Sequence, residues 1–92
     1  MQQDFKSFAV SSTTPVVMAA AGRNAFIHTI VIPKGTAGTV TIANSNSSPT
    51  TRFTLPAATV AGTYILDSTF SDGVTITNSA AADLVIVNGY QI

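Results

Sequence analysis

The chain has 92 residues, of which 46% are hydrophobic and only 9% charged, where an ordinary soluble domain has about 25% charged residues. Its formal charge is zero, from four basic residues (Lys6, Arg23, Lys34, Arg52) and four aspartates (Asp4, Asp67, Asp72, Asp83), and it holds no cysteine. These features exclude a second hydrophobic core, a disulfide framework, a thiolate metal site and the clustered basic surface that nucleic acid requires.

The N-terminal "MQQDFKSFAV" lacks a basic stretch followed by an apolar core, so it does not read as a secretory signal. No apolar run approaches the ~20 residues of a membrane helix. The expectation is a protein made inside the cell and unprocessed, with no membrane partner and no nucleic-acid partner. Residues 1–12 are expected to be an edge strand or an arm reaching a neighbour, with Phe5 and Phe8 as its apolar contacts. Residues 13–92 are expected to form the body of the domain.

Beta-branched residues dominate, and they suit a pleated, half-buried surface better than a helix. Eight extended segments follow one another: "FKSFAV" (5–10), "PVVMAA" (15–20), "AFIHTIVI" (25–32), "GTVTIA" (38–43), "TRFTL" (51–55), "TYIL" (63–66), "GVTIT" (73–77) and "DLVIVN" (83–88). A helical turn over "VVMAAAG" is outweighed by Val16 and Val17. The segments are separated by "AGRN", "PKGTAG", "NSNSSP", "PAATVAG", "DSTFSDG" and "NSAAAD". Short strands with regular turn signals indicate an all-β, single-domain antiparallel β-sandwich, jelly-roll or Greek-key-like, with about eight strands.

"GTVTIA" and "GVTIT" alternate cleanly. Val40, Ile42, Val74 and Ile76 face one way, and Thr39, Thr41, Thr75 and Thr77 face the other, as in a half-exposed antiparallel sheet. In "AFIHTIVI" the two-residue period sets Phe26, Ile30 and Ile32 against Ile27 and Val31. In "DLVIV" it sets Leu84 and Ile86 against Val85 and Val87. Both strands ask for cover on both faces, and a second subunit is one source of it. "NG" at 88–89 is a hairpin signal, but only Tyr90, Gln91 and Ile92 follow, so a bulge or terminal kink is expected.

Chemistry-bearing residues are sparse. His28 lies in the most apolar strand without a local nucleophile or carboxylate, and reads as a half-buried strand histidine bonded to backbone or a hydroxyl. Asp67, Asp72 and Asp83 could in principle meet around calcium, but their turn and strand-end positions favour capping of local backbone N–H groups. Flat sheets in so small a domain promise little cleft for a carboxylate pair, so neither an enzyme nor a cofactor is expected. Tyr90 and Phe70 are the aromatics with most freedom to meet a sugar, together with the polar loop 44–51, which also holds an "NSS" glycosylation motif at Asn46. Arg23, Lys34 and Arg52 read as solvated loop and strand-end charges, or as partners for carboxylates across an interface.

The order and spacing of several motifs resemble the small β-sandwich virion structural proteins of tailed bacteriophages. Gly22–Arg23 lead into "FIHTIVI". A "GTVTI" strand follows at Gly38–Ile42, then Gly62, Tyr64 and Leu66, then Phe70, Gly73, Val74 and Ile76. The pattern closes with Ala82, Asp83, Leu84 and Ile86. The likeness spans residues 22–87. It implies a non-enzymatic capsid decoration or cement subunit, a homo-oligomer (a trimer favoured) that binds the lattice of the major capsid protein on the virion surface. A neck or tail component is the alternative it implies, and a carbohydrate- or receptor-binding module is a more distant one. The interface expected on this reading comprises Phe5, Phe8, Arg23, Ile27, Val31, Arg52, Val85 and Val87.

Overall fold

The computed structural model describes residues 6–45 and 50–92. Residues 1–5 of the expected N-terminal segment, Phe5 among them, and the Asn46 motif lie outside the described residues. Eight antiparallel strands run in order: β1 (Lys6–Val10), β2 (Val16–Ala19), β3 (Ala25–Ile32), β4 (Val40–Ala43), β5 (Thr51–Leu55), β6 (Gly62–Phe70), β7 (Val74–Asn78) and β8 (Val85–Gln91). They form two four-stranded sheets, β1-β8-β3-β6 and β2-β7-β4-β5. Only β4 and β5 are consecutive strands in one sheet; every other successive pair is divided between the two. This winding is that of a jelly roll. The all-β sandwich expected from strand spacing is therefore the observed architecture.

The core lies between the sheets. From the first sheet come Val10, Ile27, Ile30, Ile32, Val85 and Val87; from the second come Met18, Val40, Ile42, Leu55, Val74 and Ile76. Fully burying one such aliphatic side chain contributes about 1.5–3 kcal/mol. Two polar groups lace the core at its edge. The buried Asn78 amide donates to the Val10 carbonyl (3.0 Å) and the Asp83 carbonyl (3.1 Å), tying the end of β1 to the β7–β8 loop. Thr36 bonds through its backbone N–H, carbonyl and hydroxyl to Ala58 and Thr59, joining the β3–β4 loop to the β5–β6 loop.

In the second sheet the alternation is as the sequence reads: Val40, Ile42, Val74 and Ile76 are buried, while Thr41, Thr75 and Thr77 are half-exposed. The first sheet departs from a strict two-residue period. Ile27 pairs with Gly89, yet Thr29 pairs with Asn88, so His28 is an extra residue on β3. Such a bulge shifts the phase of a strand by one. Ile27 consequently joins Ile30 and Ile32 in the core, while Phe26 is outward with Val31. The expected grouping of Ile27 with Val31 is corrected by this one extra residue.

β6 is also longer than "TYIL". It continues through Ser68, Thr69 and Phe70, which pair with Ile27, Phe26 and Ala25. Asp67, expected in a turn, instead sits within the strand at a second irregularity, with φ of 47°. β8 likewise runs straight through Asn88–Gly89 to Gln91. Its "NG" makes no hairpin, because both flanks of this stretch are already occupied, by β1 and β3.

Candidate interaction surface

The outer faces of the two sheets differ in chemistry. On the β2-β7-β4-β5 sheet, Thr77, Thr41 and Thr54 stand side by side across three strands, with Thr75 beside Ala43 in the next row. Thr75 also shares a hydrogen bond with Ser45, 2.7 Å between the hydroxyls. Hydroxyls there meet water without the charges this chain lacks. Val17 is the exposed exception at the β2 edge, and scattered single apolar residues are normal on a surface.

The β1-β8-β3-β6 sheet presents three rows. Ala9, Ile86, Val31 and Thr63 align across the four strands. Leu84, two residues before Ile86 and 39% exposed, extends the apolar part along β8. The next row is Ser7, Asn88, Thr29 and Ile65. Here the Ser7 hydroxyl donates to Asn88 Oδ1 (2.5 Å), and Asn88 Nδ2 donates to Thr29 Oγ1 (3.0 Å). Ile65 ends this row 70% exposed. The last row sets Tyr90 beside Phe26, ring centroids 5.4 Å apart, with Thr69 on β6. This face, aliphatic and aromatic with one short polar chain across it, is more apolar than the threonine-clad face of the other sheet.

His28 rises from the β3 bulge on this face, and its Nδ1 pairs with Asp67 Oδ1. In place of the expected backbone or hydroxyl partner for His28, the fold supplies a carboxylate thirty-nine positions away. Both side chains are about half exposed, and a surface pair of this kind contributes about 0–1 kcal/mol. Its consequence is geometric: it bridges the two irregular points of neighbouring strands.

Asp72 and Asp83 bind backbone elsewhere. Asp72 accepts from the Gly22 N–H (2.9 Å), and Asp83 accepts from the N–H groups of Ala37 (2.9 Å) and Gly38 (3.0 Å). They cap backbone, as their residue type suggests, but the backbone belongs to remote loops, not to their own turns. Among the described residues, no three His, Cys, Asp or Glu side chains gather into a metal-binding group.

The expected interface residues are dispersed by the fold. Ile27, Val85 and Val87 are fully buried inside the chain, so they are core residues and cannot meet a partner. Phe8 is half-buried against the same core. Arg23 is exposed in the β2–β3 turn, where its carbonyl accepts from Gly73 N–H at 2.7 Å. Arg52 is exposed on β5, at the far edge of the other sheet. Of the set, Val31 alone lies on the apolar face described above, and Phe5 is outside the described residues. The residues that replace the buried ones are Ile65 and Ile86. The alternation carries the signal: each lies between inward-facing residues of its own strand, half-buried Tyr64 and Leu66 for the first, buried Val85 and Val87 for the second.

Tyr90 is half-buried beside Phe26 on the first sheet, whereas the loop after β4 belongs to the second. The described part of that loop is tied inward, Ser45 N–H to the Asp72 carbonyl (3.0 Å) and Thr50 N–H to Asn44 Oδ1 (2.7 Å). One further concavity was not expected. β5 and β6, edge strands of opposite sheets, bound an open cleft of about 650 Å³. No protein-family model matches the chain, and no curated protein matches it.

Proposed function

We propose that this chain is a structural subunit of a tailed-phage virion, a decoration or cement protein that forms homo-oligomers and binds the major capsid protein lattice. The observation that carries the assembly part is the contrast between the two outer faces. One is clad in threonine, while the other exposes Ile65, Leu84 and Ala9 around half-buried Val31 and Ile86. A chain with so few charges gains solubility and stability by covering that face with a copy of itself. The threonine face then stays outward. The virion part is supported by the ordered motifs over residues 22–87 and by a jelly-roll sandwich whose polar groups are spent on loop fastening.

Binding to particles tests this directly. Purified chain added to capsids of the phage that encodes it should co-sediment in hundreds of copies per particle; recovery of free chain alone would contradict the proposal. Ile65→Lys provides the link to the surface. The side chain is 70% exposed, so the folded subunit should change by less than about 0.5 kcal/mol. Self-association, in contrast, should weaken at least about tenfold, because a lysine ammonium in an apolar contact must be desolvated without a partner. An unchanged self-association constant would remove this face from the interface.

A further inference from the structure

The two flanks of the sandwich are unlike. On one, β1 and β2 meet across the sheets. On the other, β5 and β6 stand apart around the cleft, whose walls include Phe53, Leu55, Tyr64, Leu66 and Phe70. All of these but Leu55 are only half-buried. Both strands are irregular at this cleft. On β5, pairing passes from Ile42↔Phe53 to Ala43↔Thr51, so Arg52 is an extra residue, and it lines the cleft. On β6, Leu66 and Asp67 together lie opposite His28. No carboxylate among the described residues forms an ion pair with Arg52.

We propose that this cleft is a docking groove for an extended segment of a partner protein. The segment pairs its backbone with the free edge of β5, places aliphatic or aromatic side chains among Phe53, Leu66 and Phe70, and sets a carboxylate against Arg52. The backbone decides the class of occupant. As edge strands, β5 and β6 each present a row of N–H and C=O groups that no neighbouring strand among the described residues takes up. An acyl chain seated there would strip these groups of water and return no hydrogen bond, a net cost. An extended polypeptide replaces the lost water with main-chain bonds, and its alternate side chains fill the apolar walls. The charges disfavour the symmetric pairings of a second copy: β5 with β5 centred on Arg52 would bring two guanidiniums together, and β6 with β6 centred on Asp67 two carboxylates. A carboxylate-bearing segment is complementary to Arg52, whose planar fork suits bidentate pairing. The inference extends the assembly reading and rests on it for the existence of a partner chain.

The probe is a short synthetic peptide that alternates valine with threonine and carries one phenylalanine and one aspartate. Added to the intact chain, it should slow amide hydrogen exchange along Thr51–Leu55 and shift the NMR signals of Phe53, Leu66 and Phe70. Arg52→Ala should weaken its binding about tenfold, as expected for a charge-assisted hydrogen bond. A peptide with asparagine in place of aspartate should lose the same amount and be indifferent to Arg52→Ala. Arg52 is exposed, so the variant is expected to fold as the parent does. Absence of exchange protection at millimolar peptide, or equal affinity for both proteins, would overturn the groove. Protection of Thr51–Leu55 by raising the concentration of the chain alone would assign the groove to a second copy and overturn it as well. A chain that self-associates but leaves β5 unprotected by peptide would sink the groove and leave the assembly reading standing. A monomer that binds the peptide would do the reverse.

Discussion

Gly89→Ala is expected to destabilise the folded chain by about 3 kcal/mol, at the upper end of the range for overpacked interiors. For a domain of this size that corresponds to a fall of about 12–24 °C in Tm. Gly89 lies in the middle of three strands, opposite Lys6 on β1 and Ile27 on β3. A Cβ there would fall on the Phe26 carbonyl oxygen, 2.8 Å from Met18 Cε and 3.1 Å from Ile27 Cα. Met18 could swing away; the β3 backbone could not, because β6 and β8 hold it on both sides. Gly22→Ala is the control. Gly22 has φ of +81° but open space around its would-be Cβ, so it should cost only about 1–2 kcal/mol for the left-handed conformation. Thermal unfolding of both variants separates steric contact from backbone preference. Equal losses would mean that Gly89 does not allow the close approach of β3 described here.

Asp83→Ala should cost a similar amount, about 3 kcal/mol, for a different reason. Its carboxylate is buried and accepts the N–H groups of both Ala37 and Gly38. Its carbonyl accepts from the buried Asn78 amide at 3.1 Å. Removing the carboxylate takes the acceptor from two part-buried loop donors at once, each carrying its own cost of a lost charge-assisted hydrogen bond. Asp83→Asn keeps one acceptor oxygen and should lose roughly half as much. Urea denaturation reads this as a lower midpoint with an unchanged m-value. Amide exchange should also accelerate at Ala37 and Gly38 without acceleration at Thr41. A loss under about 0.5 kcal/mol, typical of an unremarkable surface position, would show that the β3–β4 loop is held by other contacts.

Where a strand is regular and one of its faces is wet, the sequence reads correctly. Val40, Ile42, Val74 and Ile76 point inward, and the threonines between them point outward, because β4 and β7 pair residue for residue. β3 resists the same reading. Whether Ile27 faces the core depends on one extra residue relative to β8, and a bulge is a property of two strands, visible only once both are aligned. The true length of β6 was hidden for a related reason. "DSTFSDG" has turn composition, yet Ser68–Phe70 gain partners on β3, and the turn contracts to the residues around Asp72 and Gly73. Tertiary pairing outweighs local propensity at such a place.

That a sheet face would be apolar on its outer side was legible; which residues make it up was not. Low charge and strands apolar on both faces pointed to cover by another subunit. Choosing which face was free required knowing which face met the core, and for β8 the choice fell on the buried pair, Val85 and Val87, when Ile86 between them is the outward one. His28 and Asp67 could not be joined from spacing, since their contact depends on the register of β3 with β6. Asp83 and the loop at Ala37 are likewise brought together by the jelly-roll winding, not by local sequence.

On the proposed assembly, the apolar face of the β1-β8-β3-β6 sheet is covered by other copies of the chain. Solution mass by size-exclusion chromatography with light scattering tests it most directly, measured on the unmodified chain and on Ile65→Lys. The expected mass is near three times the 9.5 kDa chain for the former, falling toward a single chain for the latter. A unit-chain mass for the unmodified protein across the micromolar range would contradict it, since Ile65, Val31 and Ile86 would then face water in the native state.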